Sequence, residues 1–279
     1  MGGNSSSIET QTPQRVQQFN QNLFKIEGAR IIVAVDFSLS NKANAKGWGS
    51  ESLHSAGLIT QNNTAKEVQS PYKRCLELLV KRIQQFDQNQ GGFVFMTFTD
   101  QIKIEQNVTA QSMLHEYDRL AADFNNTEPN QIFQSKYGSD FSQVINRAID
   151  LTAQNKEYTI LIILTDGDFQ KAQTSQAIIE ASSFPLSICI IGIGESNFDE
   201  LEYFDTQLFE RKFDNLRFVK FDYTKQYKIN DKIFFDPGKM ITDQNSQLIF
   251  DMEVFGEIYQ QWVEIGNMRS RELLEKITK

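Results

Sequence analysis

The chain has 279 residues, 40% of them hydrophobic, with a formal charge of -8 and a pI of about 5.0. That is enough apolar content for one large α/β core or two small ones. The acidic balance, with no Lys/Arg-rich run, excludes nucleic acid and an anionic membrane surface as the main partner. No apolar run approaches the about 18 residues of a membrane span, and the N-terminus lacks a signal peptide's apolar centre. Cys75 and Cys189 both sit in apolar patterns and read as reduced core residues of a cytosolic protein.

Residues 1–24 are polar and Gln-rich, with few apolar anchors, and are expected to be a flexible tail. Its start, Met1-Gly2-Gly3-Asn4-Ser5-Ser6, fits the N-myristoylation pattern with Gly2 as acceptor. With no cysteine or basic cluster beside it, a single acyl chain gives only weak, reversible membrane contact. Ile31 to Val35 form an uninterrupted apolar run, the signature of a strand buried on both faces of a parallel sheet, and it ends in Asp36-Phe37-Ser38-Leu39-Ser40. Asn41 to about Lys66 reads as a long loop containing His54, expected to shape that loop through a hydrogen bond. Pro71 opens an amphipathic helix with Tyr72, Leu76, Leu79, Val80 and Ile83 on one face.

Gly91-Gly92 end that helix, and Phe93 to Phe98 form the second buried strand, followed by a short alternating edge strand at Ile102-Lys103-Ile104. A helix over Met113 to Phe124 follows. Gly138-Ser139-Asp140 precede another, with Ser139 or Asp140 available as its N-cap. Tyr158 to Leu164 is the strongest strand signal and runs into Thr165-Asp166-Gly167. A helix over Ala172 to Ala181, strands at Pro185 to Gly192 and Leu216 to Phe221, and a helical pattern from Gln247 to Ile265 complete the series. Strands alternating with helices predict an α/β fold: a doubly wound, mostly parallel sheet with helices on both faces. The expected organisation is a tail over 1–24, a domain over 25–265 and a charged helical tail over 266–279.

In such a sheet the C-terminal ends of neighbouring strands share one crevice. Asp36, Ser38, Ser40, Ser139 and Asp166 all fall at strand ends or helix starts, and all are hard oxygen donors suited to magnesium or manganese rather than zinc. Each residue taken singly is also a common helix cap. Together, Asp-x-Ser-x-Ser, a later hydroxyl and an Asp in a Thr-Asp-Gly turn resemble the metal-ion-dependent adhesion site of von Willebrand factor A domains. By that resemblance Ser38 and Ser40 bind the ion directly, while Asp36 and Asp166 hold its water ligands and neutralise its charge. Ser139 stands where the family usually has Thr, so the hydroxyl is kept and the methyl that stiffens its rotamer is lost.

Further segments narrow the resemblance to the copine branch of that family: Asp36 to Asn41, Ser52-Leu53-His54, Ser70-Pro71-Tyr72, Pro185-Leu186-Ser187-Ile188 and Gly192-Ile193-Gly194. The resemblance runs over roughly residues 25–265. It implies a magnesium, manganese or calcium ion with one open position, completed by an acidic residue of a protein partner. It also implies a cytoplasmic protein, peripheral to membrane or cytoskeleton, without nucleic-acid contact. Copines carry two calcium-dependent lipid-binding modules ahead of this domain, whereas here a short tail precedes it, so a stand-alone domain is expected. A plant group of ubiquitin ligases joins a similar domain to a RING, for whose zinc two cysteines are too few.

The competing readings are a structural component of a large cytoskeletal or membrane-associated assembly with an idle metal site, a ligase-related adaptor without a RING, and a phosphatase using Asp36. The last lacks a second carboxylate two residues on, where Ser38 stands, and no phosphate loop, dinucleotide fingerprint or nucleophile elbow is present. The expectation is therefore a binding domain and not an enzyme.

Overall fold

The computed structural model describes residues 13–24, 26, 28–61, 64–84, 92–99, 101–132, 138–221, 228–229, 232–233 and 244–277. The proposed acceptor Gly2 lies outside them. In chain order the described helices are α1 (Pro13–Phe24), α2 (Ser40–Ala43), α3 (Pro71–Ile83), α4 (Ala110–Asn126), α5 (Phe141–Asn155), α6 (Lys171–Ala181), α7 (Asp199–Gln207), α8 (Gln244–Phe255) and α9 (Ile258–Ile277). The strands are β1 (Arg30–Asp36), β2 (Gly57–Gln61), β3 (Thr64–Val68), β4 (Phe93–Phe98), β5 (Ile102–Val108), β6 (Thr159–Thr165), β7 (Leu186–Ile193) and β8 (Leu216–Phe221), with a two-residue pair at Lys228–Ile229 and Lys232–Ile233.

Six strands form the main sheet in the order β5-β4-β1-β6-β7-β8, and only β5 runs antiparallel to its neighbour. β1, β4, β6 and β7 are apolar on both faces because helices cover both. Val33 and Val35 pack with α3, α4 and α8, whereas Ile32 and Ala34 pack with α5, α6 and α7. This is the doubly wound fold that the alternation predicts. From β1 the chain moves outward to β4 and β5, then returns to place β6 on the other side of β1. Between β1 and β6 the winding reverses direction, which opens a crevice at their C-terminal ends.

Four expectations need correction. The Gln-rich tail is not wholly irregular: Pro13–Phe24 is a helix, with Pro at its first position, where a missing N–H costs nothing. One aromatic anchors it. Phe19 is buried in the core, and the Arg82 guanidinium lies 5.9 Å from its ring centroid. The stretch 41–66 is not a plain loop but a short helix, a 3-10 turn at Lys46–Trp48 and the β2-β3 hairpin. Trp48, Leu53 and His54 insert into the core and order it, and the Trp48 indole N–H donates to the Ser55 carbonyl at 2.9 Å. Helix α7 was not foreseen, because only Leu201 and Phe204 of its nine residues are buried. The helical pattern after Gln247 is not one helix: it divides at Gly256 into α8 and α9, and α9 runs through Ile277.

α8 is held against α3 by a buried ion pair. Arg82 Nε donates to Asp251 Oδ2 at 2.8 Å, and Gln247 Nε2 bridges the Leu78 carbonyl (2.9 Å) and Asp251 Oδ1 (2.8 Å). Asp251 has no exposed surface, and burial pushes its carboxyl above the ordinary range despite Arg82. Removing the cation strands that charge, so Arg82→Ala is expected to cost about 3–5 kcal/mol. Urea denaturation reads this as a lower midpoint with an unchanged slope. A loss below about 1 kcal/mol would show that the pair only breaks even against its desolvation.

Candidate metal centre

The crevice between β1 and β6 gathers the residues that the motif spacing singles out. Asp36 is the last residue of β1, and Thr165 ends β6 beside it. Ser38 N donates to Asp36 Oδ1 at 2.9 Å, which folds the chain back over its own carboxylate and turns Ser38 and Ser40 inward. Ser38 Oγ and Ser40 Oγ are 2.8 Å apart, and Ser40 Oγ donates to Asp166 Oδ1 at 3.0 Å. Ser139 Oγ lies 3.2 and 3.4 Å from the two oxygens of Asp36. All five side chains are buried, with Asp36 and Asp166 showing no exposed surface.

Ser139 is remote in sequence and reaches the site through one backbone bridge. Its N–H donates to the Asp168 carbonyl (3.0 Å), and its carbonyl accepts from Gln170 N (2.9 Å), so its loop is pinned to the loop carrying Asp166. Two glycines permit this approach. Gly138 has φ +83°, and a Cβ there would meet Phe169 N at 2.8 Å; Gly167 has φ +91°, and a Cβ would meet the Phe198 ring at 2.7 Å. The helix-capping alternative goes to another residue: Asp140 Oδ1 accepts from Ser142 N at 3.0 Å as the N-cap of α5, which leaves the Ser139 hydroxyl free for the crevice. α2 and α6 have Leu39 and Gln170 at their N-caps and no side-chain cap, so neither Asp36 nor Asp166 caps the helix that follows it.

Three polar neighbours escaped the sequence reading. Thr165 Oγ1 donates to Asp36 Oδ2 at 2.9 Å, and Asn44 Nδ2 donates to Asp166 Oδ2 at 3.0 Å. Asn41 Nδ2 lies 3.3–3.4 Å from the Asp36 carbonyl, the Ser38 carbonyl and Ser38 Oγ. Because Asn41 donates to Ser38 Oγ and Ser40 donates to Asp166, the Ser38 proton points to Ser40, so the two hydroxyls form one directed chain from the Asn41 amide to the Asp166 carboxylate. Thr165 stands inside the Thr-Asp-Gly turn and Asn41 directly follows the serines, so both were within view. Asn44 carries no such signal, because it reaches Asp166 only through the single turn of α2.

Burial first, and the Asp166 carboxylate second, push Asp36 up to about 7; burial pushes Asp166 up to about 6, against the hydrogen bonds from Ser40 and Asn44. The buried Tyr72 hydroxyl faces Asn41, and burial together with both carboxylates raises its ionisation well above the ordinary phenol value. Two carboxylates confined together at neutral pH call for a compensating cation. The donor set fits a hard one. Among the described residues no three His, Cys, Asp or Glu side chains group as a metal site, and the five side chains gathered here offer only carboxylate and hydroxyl oxygens.

His54 is fully buried beneath this site. Its ring stacks on Phe37 (centroids 4.2 Å apart) and on Tyr72 (4.1 Å). Nε2 is 2.9 Å from the Asp36 carbonyl oxygen, which can only accept, so Nε2 carries the proton. Nδ1 then accepts from the Tyr117 hydroxyl at 3.1 Å, and Ser70 Oγ, the N-cap of α3, donates to Tyr117 at 3.3 Å. Burial holds His54 down at about 3, so the imidazole is neutral. The loop-shaping hydrogen bond expected of it is present, and it ends on the backbone of Asp36. His115, by contrast, is exposed on α4.

Comparison with known proteins decides the family. A family model described as Copine matches residues 61–273, well over half of the chain. The chain belongs to the copine family. Its copine relatives include copine family protein 1 of Caenorhabditis elegans, 26% identical over 202 residues that cover 70% of this chain and 17% of that protein. It is equally similar to the E3 ubiquitin-protein ligase RGLG3 of Arabidopsis thaliana, 26% identical over 221 residues covering 70% of this chain and 55% of the ligase. This copine chain thus spans about half the length of the ligases it matches. Among solved structures, the SpRpn10 VWA domain is a weak match, with a TM-score of 0.43 and 11% identity over 69% of this chain and 87% of that one.

Proposed function

We propose that this copine domain is a divalent-ion-dependent protein-interaction module that captures an acidic residue of its partner. One observation carries the reading: three hydroxyls and two buried carboxylates, drawn from three separate segments, converge at the point where the sheet reverses its winding. Asp36, Ser38, Ser40, Ser139 and Asp166 would hold magnesium, with manganese and calcium as its competitors. When bound, such an ion offers its last position to a carboxylate from outside. Gly2 is the proposed lipid acceptor, which would add a reversible peripheral membrane contact to a cytoplasmic protein.

Catalysis is not part of the proposal. The Asp36 carboxylate is occupied by donors from Ser38, Ser139 and Thr165, and both nitrogens of His54 are engaged, so neither is poised as nucleophile or base. Cys75 and Cys189 are both buried in the core, so neither offers an exposed thiol.

The test is capture of partners from native lysate on the purified protein, in magnesium and in EDTA. Partners retained only in magnesium support the module; partners retained equally in both leave a structural domain with an idle site. Magnesium affinity should also rise with pH. Asp36 and Asp166 ionise late, so protons compete for the site below about 7. Calorimetric titration is expected to show at least about tenfold weaker binding at pH 5.5 than at pH 7.5. A flat profile would remove these carboxylates from the ion's surroundings.

A further inference from the structure

Beside the candidate metal centre lies an open cleft of about 510 Å³ whose walls include Leu39, Lys42, Glu51, Asn125, Glu128 and Pro129. Leu39 separates the two serines of the centre, so the cleft adjoins the position where a partner's carboxylate would dock. Its charges are unevenly committed. Lys42 Nζ donates to the Thr127 carbonyl at 2.6 Å and the Asn125 carbonyl at 3.3 Å, and it lies 5.2 Å from the Phe124 ring centroid. Those bonds fix the ammonium at the carbonyl end of α4, on one wall of the cleft, and it keeps its charge there. Glu51 and Glu128 are exposed, and neither carboxylate has a hydrogen bond or ion pair among the described residues. The cleft therefore carries two exposed carboxylates, unpaired among the described residues, against one ammonium fixed at its α4 wall, and a partly apolar wall in Leu39 and Pro129.

We infer that this cleft selects the partner: it receives a Lys or Arg side chain lying within a few residues of the acidic residue that docks at the metal centre. The inference rests on the proposed metal-dependent capture and specifies its ligand as a peptide segment carrying both signs of charge. A long basic side chain suits the cleft on two counts. Its aliphatic stem covers Leu39 and Pro129, and its head reaches Glu51 and Glu128. A purely acidic segment would satisfy the ion but meet two like charges in the cleft.

The experiment uses a library of short peptides with a fixed central Glu and every other position varied, displayed to the full chain in magnesium and in EDTA. The native protein is expected to retain peptides in magnesium only, enriched in Lys or Arg within about three residues of the Glu. The Glu51→Gln/Glu128→Gln protein should keep its magnesium affinity and its magnesium-dependent retention. It should lose the basic enrichment and bind a selected peptide about fivefold more weakly, in line with two exposed charge pairs. Magnesium-dependent retention without basic enrichment, or enrichment that survives the double substitution, overturns the cleft assignment and leaves the metal-dependent capture standing. No magnesium-dependent retention in the native protein overturns both.

Discussion

Asp36→Asn is expected to abolish the stabilisation of this copine chain by magnesium while leaving the chelator-treated protein as stable as the native one, or more so. At magnesium about a hundredfold above Kd, binding adds about 2.7 kcal/mol, or a rise of roughly 5–10 °C in Tm for a domain of this size. The variant forfeits that rise, because an amide cannot supply the charge that holds the ion. In EDTA the balance reverses. The native Asp36 is a buried carboxylate facing Asp166 and pushed up to about 7, so its ionised form at pH 8 opposes folding. Asn keeps the shape, accepts from Ser38 N, and donates to the Thr165 or Ser139 hydroxyl, either of which can turn to accept.

The metal-free variant should therefore melt about 2–6 °C above the metal-free native protein. Differential scanning calorimetry at pH 8 reads both effects. A magnesium response retained by the variant would remove Asp36 from the ligand set. A fall of several degrees in EDTA would show that the carboxylate is needed to hold the turn.

The second large effect concerns His54 and has a definite sign. Its folded-state value of about 3 lies far below the ordinary 6.5, so between those limits the unfolded chain binds the extra proton. Stability from this group is therefore complete above about 6.5 and is lost as pH falls towards 3. Asp36 and Asp166 act in the opposite direction: raised in the fold, they add stability in the metal-free protein as pH falls through about 7 and 6. A variant that retains both carboxylates cancels their contribution. His54→Gln does so, and its amide can still donate to the Asp36 carbonyl.

Native protein should exceed His54→Gln in unfolding free energy at pH 7, because Gln loses the stacking on Phe37 and Tyr72. That advantage should shrink by about 2 kcal/mol by pH 5 as the unfolded chain's imidazole takes its proton. Urea titrations of both proteins in EDTA at the two pH values measure it. An advantage that stays constant between them would mean that His54 takes up its proton as readily in the fold as in the unfolded chain, so that Nδ1 would donate to Tyr117 and not accept from it.

The sequence by itself determined the architecture and the oxygen donors that meet at the crevice. Strands buried on both faces can only be apolar throughout, so β1, β4, β6 and β7 are legible as unbroken runs. A hydroxyl or carboxylate directly after such a run has to stand at the sheet's C-terminal edge. That reasoning found Asp36, Ser38, Ser40 and Asp166; Ser139 was found at a helix start and through the resemblance to the adhesion site, and the fold draws all five into hydrogen-bond contact.

What depends on distant contacts was not legible. α1 is a helix because Phe19 finds the core and Arg82, although its composition is that of a flexible tail. The segment after Asn41 is ordered by the burial of Trp48, Leu53 and His54, which leaves no periodic trace. Asn44, Thr165 and the chain from Ser70 through Tyr117 and His54 to Asp36 join residues that are up to 129 positions apart. Local pattern reports the face a residue shows to its own element. Only the packing of one element on another decides which buried polar atoms meet, and in this protein those meetings hold the two carboxylates in place.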